Sequence, residues 1–157
     1  MLNKFFQSFN KPQENEKTSF DDDLYMLIYE IIIADHEISP EEIDLASELL
    51  DFYFQIPKSK NEKEFKKLVE NQHFNTDLSQ YAMRLKTSLS YEQRMDIILI
   101  CWQVLMVDNN EDQLETSTVR TISTLLGLED KDFILIRNPI SIIRSISLKL
   151  SSFFIYP

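Results

Sequence analysis

A single glycine, Gly127, is the feature of this 157-residue sequence that most limits its possible folds. Glycine supplies the left-handed backbone of tight turns and lets a loop approach a phosphate group closely. Many-stranded sheets, dinucleotide-binding folds and P-loops need more glycine than this chain has. The sequence therefore predicts an all-α protein whose helices are joined by short connections.

The charge and the lone cysteine exclude several functional classes. Acidic residues outnumber basic ones by 26 to 16, so a formal net charge of -10 would repel a nucleic-acid backbone. No apolar run reaches the roughly 18 residues of a membrane span, and the N-terminus does not resemble a signal peptide. Cys101 lies in an apolar run, where we expect it to be buried without a disulfide. These features favour a cytoplasmic protein.

The pattern along the chain predicts three parts. Residues 1–19 form an amphipathic segment and linker, residues 20–137 a helical domain, and residues 138–157 an apolar tail. The tail has spacing that fits both a helix and a strand, so its form stays open. For both ends of the chain we weigh packing on the core, which is favoured, against contact with a membrane surface.

Local signals mark the predicted helix boundaries. Asp21, Asp22 and Asp23 are favourable charges at the start of a predicted helix, in which Leu24 to Ala34 is apolar on nearly every face. Residues Pro57 to Asn61 are expected to form a break before the next helix, which runs from Glu62 to Asn71. The segments Ser39–Glu42 and Ser90–Gln93 are capping boxes at helix starts. Gly127 is expected to end a helix in the left-handed conformation.

An acidic turn occurs twice in the sequence. Ala-Asp-His-Glu-Ile-Ser-Pro-Glu-Glu at residues 34–42 aligns without a gap with Val-Asp-Asn-Asn-Glu-Asp-Gln-Leu-Glu at residues 107–115. In each copy an apolar helix is predicted before the turn and an amphipathic helix after it. The duplication therefore includes a whole helix, turn, helix unit.

The repeated turn is also the candidate binding site. Capping explains Ser39 with Glu42, but Asp35 and Asp108 fall at helix C-termini, where the macrodipole disfavours a carboxylate by a few tenths of a kcal/mol. A calcium or magnesium ion would compensate them, since both ions prefer oxygen ligands. Capping with salt bridges alone is the favoured alternative. The candidate metal ligands are Asp35, Glu37, Ser39, Glu42, Asp108, Asn110, Asp112 and Glu115.

Catalysis has weaker support in the sequence than binding. A hydrolase would have to use paired acids such as Glu37 and Glu42 with His36 as the base. The sequence contains no Ser-His-Asp, Cys-His or P-loop arrangement. We therefore expect a protein that is not an enzyme and that binds a protein partner or an ion.

Residues 20–137 resemble the TerB-like family, which is associated with tellurite resistance and carries an Ala-Asp-Gly-Glu type turn twice between helices. The matching blocks are Leu-Ser-Tyr-Glu-Gln-Arg at 89–94, Cys-Trp-Gln-Val at 101–104, Leu-Leu-Gly-Leu at 125–128 and Asp-Phe-Ile at 132–134. His36 and Asn109 replace the glycine of the family's turn, and both residue types tolerate a left-handed backbone.

The resemblance implies a bundle of about seven helices built from two pseudo-repeated units. It also implies a divalent-metal site on the acidic turns and a role in stress response, as an adaptor or beside chaperone-like proteins. It implies no known reaction.

Overall fold

The computed structural model describes residues 19–34, 37–71, 77–108 and 113–154, which contain α-helices and no strand. Seven helices lie between residues 20 and 137, as predicted, and an eighth follows. The helices are α1 (Phe20–Ile32), α2 (Pro40–Phe54), α3 (Lys58–Glu70), α4 (Leu78–Ser88), α5 (Tyr91–Leu105), α6 (Gln113–Leu125), α7 (Asp130–Ile136) and α8 (Pro139–Phe154), with a short 3-10 helix at Met106–Asp108 after α5.

Two apolar helices, α1 and α5, form the centre of the core. They pack against each other, while α4 packs on α1, α2 packs on α5, and α6 contacts both central helices. Nearly every side chain from Leu24 to Ile32 and from Ile97 to Leu105 is buried. This burial agrees with the apolar pattern on most faces of these helices, since only a central helix can bury several faces.

Capping side chains determine where the first helix begins. The Ser19 amide donates to the Asp22 carboxylate at 2.9 Å, and the Asp22 amide donates to the Ser19 hydroxyl at 3.2 Å. This capping box starts α1 at Phe20, directly before the three aspartates predicted to lie at the helix start. The capping box at Ser90 is also present, and it starts α5 where the sequence predicts.

The predicted break at Pro57 is present, but it is shorter than predicted, because residues 58–61 are helical. Gln55 adopts a left-handed conformation with φ of 55°, the chain reverses, and α3 starts at Lys58 directly after Pro57. The first-turn amides of Lys60 and Asn61 donate to the Pro57 carbonyl at 2.9 and 3.1 Å. Proline therefore initiates α3 here, because its fixed φ suits the residue that precedes a helix as well as the first turn.

The only glycine ends α6, as predicted. Gly127 has φ of +73°, and the amides of Gly127 and Leu128 donate to the carbonyls of Thr124 and Ser123 at 3.0 and 3.1 Å. The positive φ favours glycine at this position, whereas the nearest atoms to an added β-carbon would belong to the flexible end of the Lys86 side chain, which can move aside.

The described part of the C-terminal tail forms helix α8, so a helix and not a strand is the form of this segment. The Lys149 ammonium donates to the Asp96 carboxylate of α5 at 2.6 Å and lies 4.1 Å from the centre of the Tyr53 ring of α2. Burial raises the pKa of Asp96, although the hydrogen bond from Lys149 opposes this. Among the described helices, none is both long and apolar enough to cross a bilayer.

Cys101 is fully buried in α5, and burial raises the pKa of its thiol to about 12. Because the thiolate is the reactive form, we expect a thiol-specific alkylating reagent to label the folded protein only through unfolding. The free energy of opening calculated from the labelling rate at neutral pH should match the one calculated from the slowest amide exchange in α5. Rapid labelling without denaturant would contradict this expectation.

Candidate functional site

The first acidic turn connects α1 to α2, and the structure describes its second half. Glu37 is exposed, Ser39 is half-buried, and Glu42 is buried in the first turn of α2. Asp35 and His36 lie outside the described residues. Three of the four candidate ligands of this turn can therefore be placed.

Two of these three side chains are used to cap α2. The Ser39 amide donates to Oε2 of Glu42 at 3.2 Å, which is the predicted return bond of a capping box. The Ser39 hydroxyl donates to Oε2 of Glu41 at 2.7 Å. This hydrogen bond lowers the pKa of Glu41, which is exposed. The capping role proposed for Ser39 and Glu42 thus has direct geometric support.

The second acidic turn follows α5 through the 3-10 helix Met106–Asp108. Asp108 ends this 3-10 helix, and Glu115 lies in the first turn of α6. Their side chains, together with Asn110 and Asp112, lie outside the described part of the structure. The prediction of a ligand set in this turn stays a prediction.

The position of the two turns follows from the helices that precede them. Each turn directly follows one of the two central helices, α1 or α5, and each of these packs against α6 as well as against the other. The duplicated units therefore share one core and are not separate modules. Among the described side chains, no three His, Cys, Asp or Glu groups lie close enough together to hold a metal.

Three of the buried polar residues outside the turns join helices to one another and were not predicted from the sequence. They are Asp23 of α1, Asn61 of α3 and Asp96 of α5. Arg84 holds Asp23 through contacts of 2.6 to 3.1 Å, and Lys149 holds Asp96. Each of these groups links two or more helices, so their chemistry is structural.

The described surface gives no support to the interpretation of this chain as a hydrolase. A shallow depression is lined by Glu48, Asp51, Phe52 and Gln55, so it includes neither Glu37 nor Glu42. Glu42 is buried and takes part in the α2 cap.

These observations define a class: an all-helical bundle in which two helix, acidic turn, helix units share a single core. A comparison with protein-family models matches residues 21–138 to the family described as "Tellurite resistance protein TerB". The chain belongs to the TerB family, as its motifs indicated. Comparisons with curated proteins and with solved structures give no significant match.

Proposed function

We propose that this chain is a non-catalytic binding domain whose repeated acidic turns hold a divalent cation, calcium or magnesium, and present it to a protein partner. The observation that carries the proposal is the attachment of both turns to the ends of the two packed central helices, α1 and α5. A rigid core is what a binding site needs to keep its ligands in place.

The donor chemistry of the turns is consistent with such an ion. The candidate ligands are carboxylate, hydroxyl and amide oxygens, which hard cations prefer. Glu37 is exposed, while Glu42 accepts the Ser39 amide through one carboxylate oxygen. In this proposal Glu42 both binds the ion and accepts the hydrogen bond that caps α2.

The charge and the family support the rest of the proposal. A net charge of -10 favours a partner with a basic surface and disfavours nucleic acid. The family description names tellurite resistance. On that basis we propose a role as an adaptor in a cytoplasmic stress response.

Thermal unfolding after chelation, with calcium, magnesium or zinc added back, tests the metal site. At a free ion concentration of about 100 times Kd, binding adds about 2.7 kcal/mol, which raises the Tm by about 5–10 °C for a chain of this size. The Asp35→Asn, Asp108→Asn double variant should lose this rise.

The matched control is the Glu48→Gln, Glu62→Gln double variant, which removes two exposed carboxylates. Glu62 lies near the start of α3, where Lys60 pairs with Asp21 at the beginning of α1, and so at the opposite end of α1 from the first acidic turn. This control should keep the full rise in Tm. No rise with any ion in the unmodified protein would refute the metal site. An equal loss in both double variants would also refute it, because it would show a general effect of charge.

A further inference from the structure

Helix α8 carries an apolar stripe beside the face that it packs on the bundle. Ile143 and Leu150 are 68% and 43% exposed, and their separation of seven residues places them on one side of the helix. At about 100° per residue, both lie within about 60° of the half-buried Ile146. The stripe therefore borders the contact with the bundle, where a second helix could touch both α8 and the bundle.

The N-terminus of the described chain lies near this helix. The Phe20 ring packs against the Phe54 ring, with centroids 5.9 Å apart, at the end of α2. The neighbouring residue, Tyr53, lies beneath the Lys149 ammonium of α8. The preceding segment thus leaves the bundle next to α8.

The sequence of that segment suits the stripe. Leu2, Phe5, Phe6 and Phe9 recur at the spacing of one apolar helix face. The linker from Asn10 to Thr18 can span about 30 Å when extended, whereas the 16 residues of α8 extend about 24 Å. The segment can therefore reach any point along α8.

Both elements lie outside the residues that match the family model. The family match covers residues 21–138, and α8 begins at Pro139.

We propose that residues 2–9 dock as an amphipathic helix on the α8 stripe formed by Ile143 and Leu150. The two terminal segments then cover each other's apolar faces, on a helix that the Lys149–Asp96 ion pair holds on the bundle.

Hydrogen exchange of the full-length protein, read by mass spectrometry, tests this docking. The Ile143→Ser, Leu150→Ser variant should speed exchange in residues 2–9 roughly tenfold, because it removes most of the apolar contact. The Phe6→Ser, Phe9→Ser variant should speed exchange in α8 by a similar factor. Combining both pairs should add little, since each disrupts the same contact.

Leu148→Ser is the matched control, because Leu148 is exposed on another side of α8. It should leave exchange in residues 2–9 unchanged, and exchange in α5 should stay slow in every variant. Unprotected residues 2–9 in the unmodified protein would overturn the proposal. Protection only in a dimer, detected by light scattering, or only with phosphatidylserine-containing vesicles, would overturn it in favour of a second copy or a lipid surface.

Discussion

The Arg84→Met variant is expected to lose about 3 kcal/mol of unfolding free energy. Arg84 of α4 contacts both carboxylate oxygens of Asp23 of α1 at 2.6 to 3.1 Å. The Asp23 side chain is only 4% exposed, so without Arg84 it would be a buried charge with a lost partner. The expected loss of unfolding free energy is at the lower end of the range for breaking a buried ion pair, because the Arg84 side chain is 41% exposed. Urea unfolding would measure it.

Two companion variants separate the ion pair from ordinary packing. Methionine keeps the apolar stem that packs at Tyr81, whose ring centre lies 5.0 Å from the Arg84 guanidinium carbon. The Asp23→Asn, Arg84→Met double variant should be more stable than Arg84→Met alone, since no buried charge remains. Arg84→Lys should give an intermediate loss because it keeps the charge without the two-pronged geometry. Equal stability of Arg84→Met and the unmodified protein would contradict the buried-charge argument.

The sequence predicted the helices well where local chemistry decides them. The capping boxes at Ser39 and Ser90 start α2 and α5, and Gly127 ends α6. These signals involve residues within a few positions of one another, so a single sequence contains them. The apolar patterns of α1 and α5 likewise predicted the two most buried helices.

The hydrophobic periodicity of the sequence did not predict the polar contacts between residues far apart in the chain. The sequence gives the same interpretation to Asp21, Asp22 and Asp23, as favourable charges at a helix start. In the structure only Asp23 of the three is buried. Its partner, Arg84, lies 61 residues away in the chain. Hydrophobic periodicity identifies a face, but it does not identify which polar residue on that face has a partner.

The candidate site, too, was predicted from the sequence only in part. Comparison of the two halves of the chain revealed the repeated turn and its link to the central helices. The ligand geometry instead depends on the backbone at His36 and Asn109, where the family's turn has glycine. Residue types at these positions permit a left-handed backbone without requiring it, so the pattern alone does not determine how the oxygen atoms converge.

Asn61 was also missed, because a polar residue after Pro57 resembles a loop. Its side chain is fully buried in α3 and completes three hydrogen bonds. Its carbonyl oxygen accepts the Tyr25 hydroxyl at 2.7 Å, and its amide donates to the carbonyls of Ser47 and Ile56 at 2.9 and 2.8 Å. Burial, reinforced by nearby acidic charges, raises the pKa of Tyr25, so its hydroxyl remains a donor.

The Asn61→Leu variant should therefore lose about 3 kcal/mol, since Tyr25 and the Ile56 carbonyl would be left without this buried partner. Tyr25→Phe is the matched control: it removes one of the three hydrogen bonds and keeps the ring against Phe65, so about 1 kcal/mol should be lost. Urea unfolding at pH 7 measures both. A smaller loss for Asn61→Leu than for Tyr25→Phe would refute the assignment of Asn61 as the link between α1, α2 and α3.

The Asn61→Asp variant gives this link a distinctive pH dependence. At pH 7 the new carboxylate would still accept the Tyr25 hydroxyl, but its second oxygen would face the carbonyls of Ser47 and Ile56. Burial and these carbonyls favour the neutral acid, whose hydroxyl can donate to one of them. The folded state would thus bind a proton more tightly than the unfolded state, whose carboxyl titrates near pH 3.9. The stability deficit relative to the unmodified protein should be largest near pH 7 and shrink as the pH falls toward 4; a deficit that does not change with pH would place the new carboxylate in water.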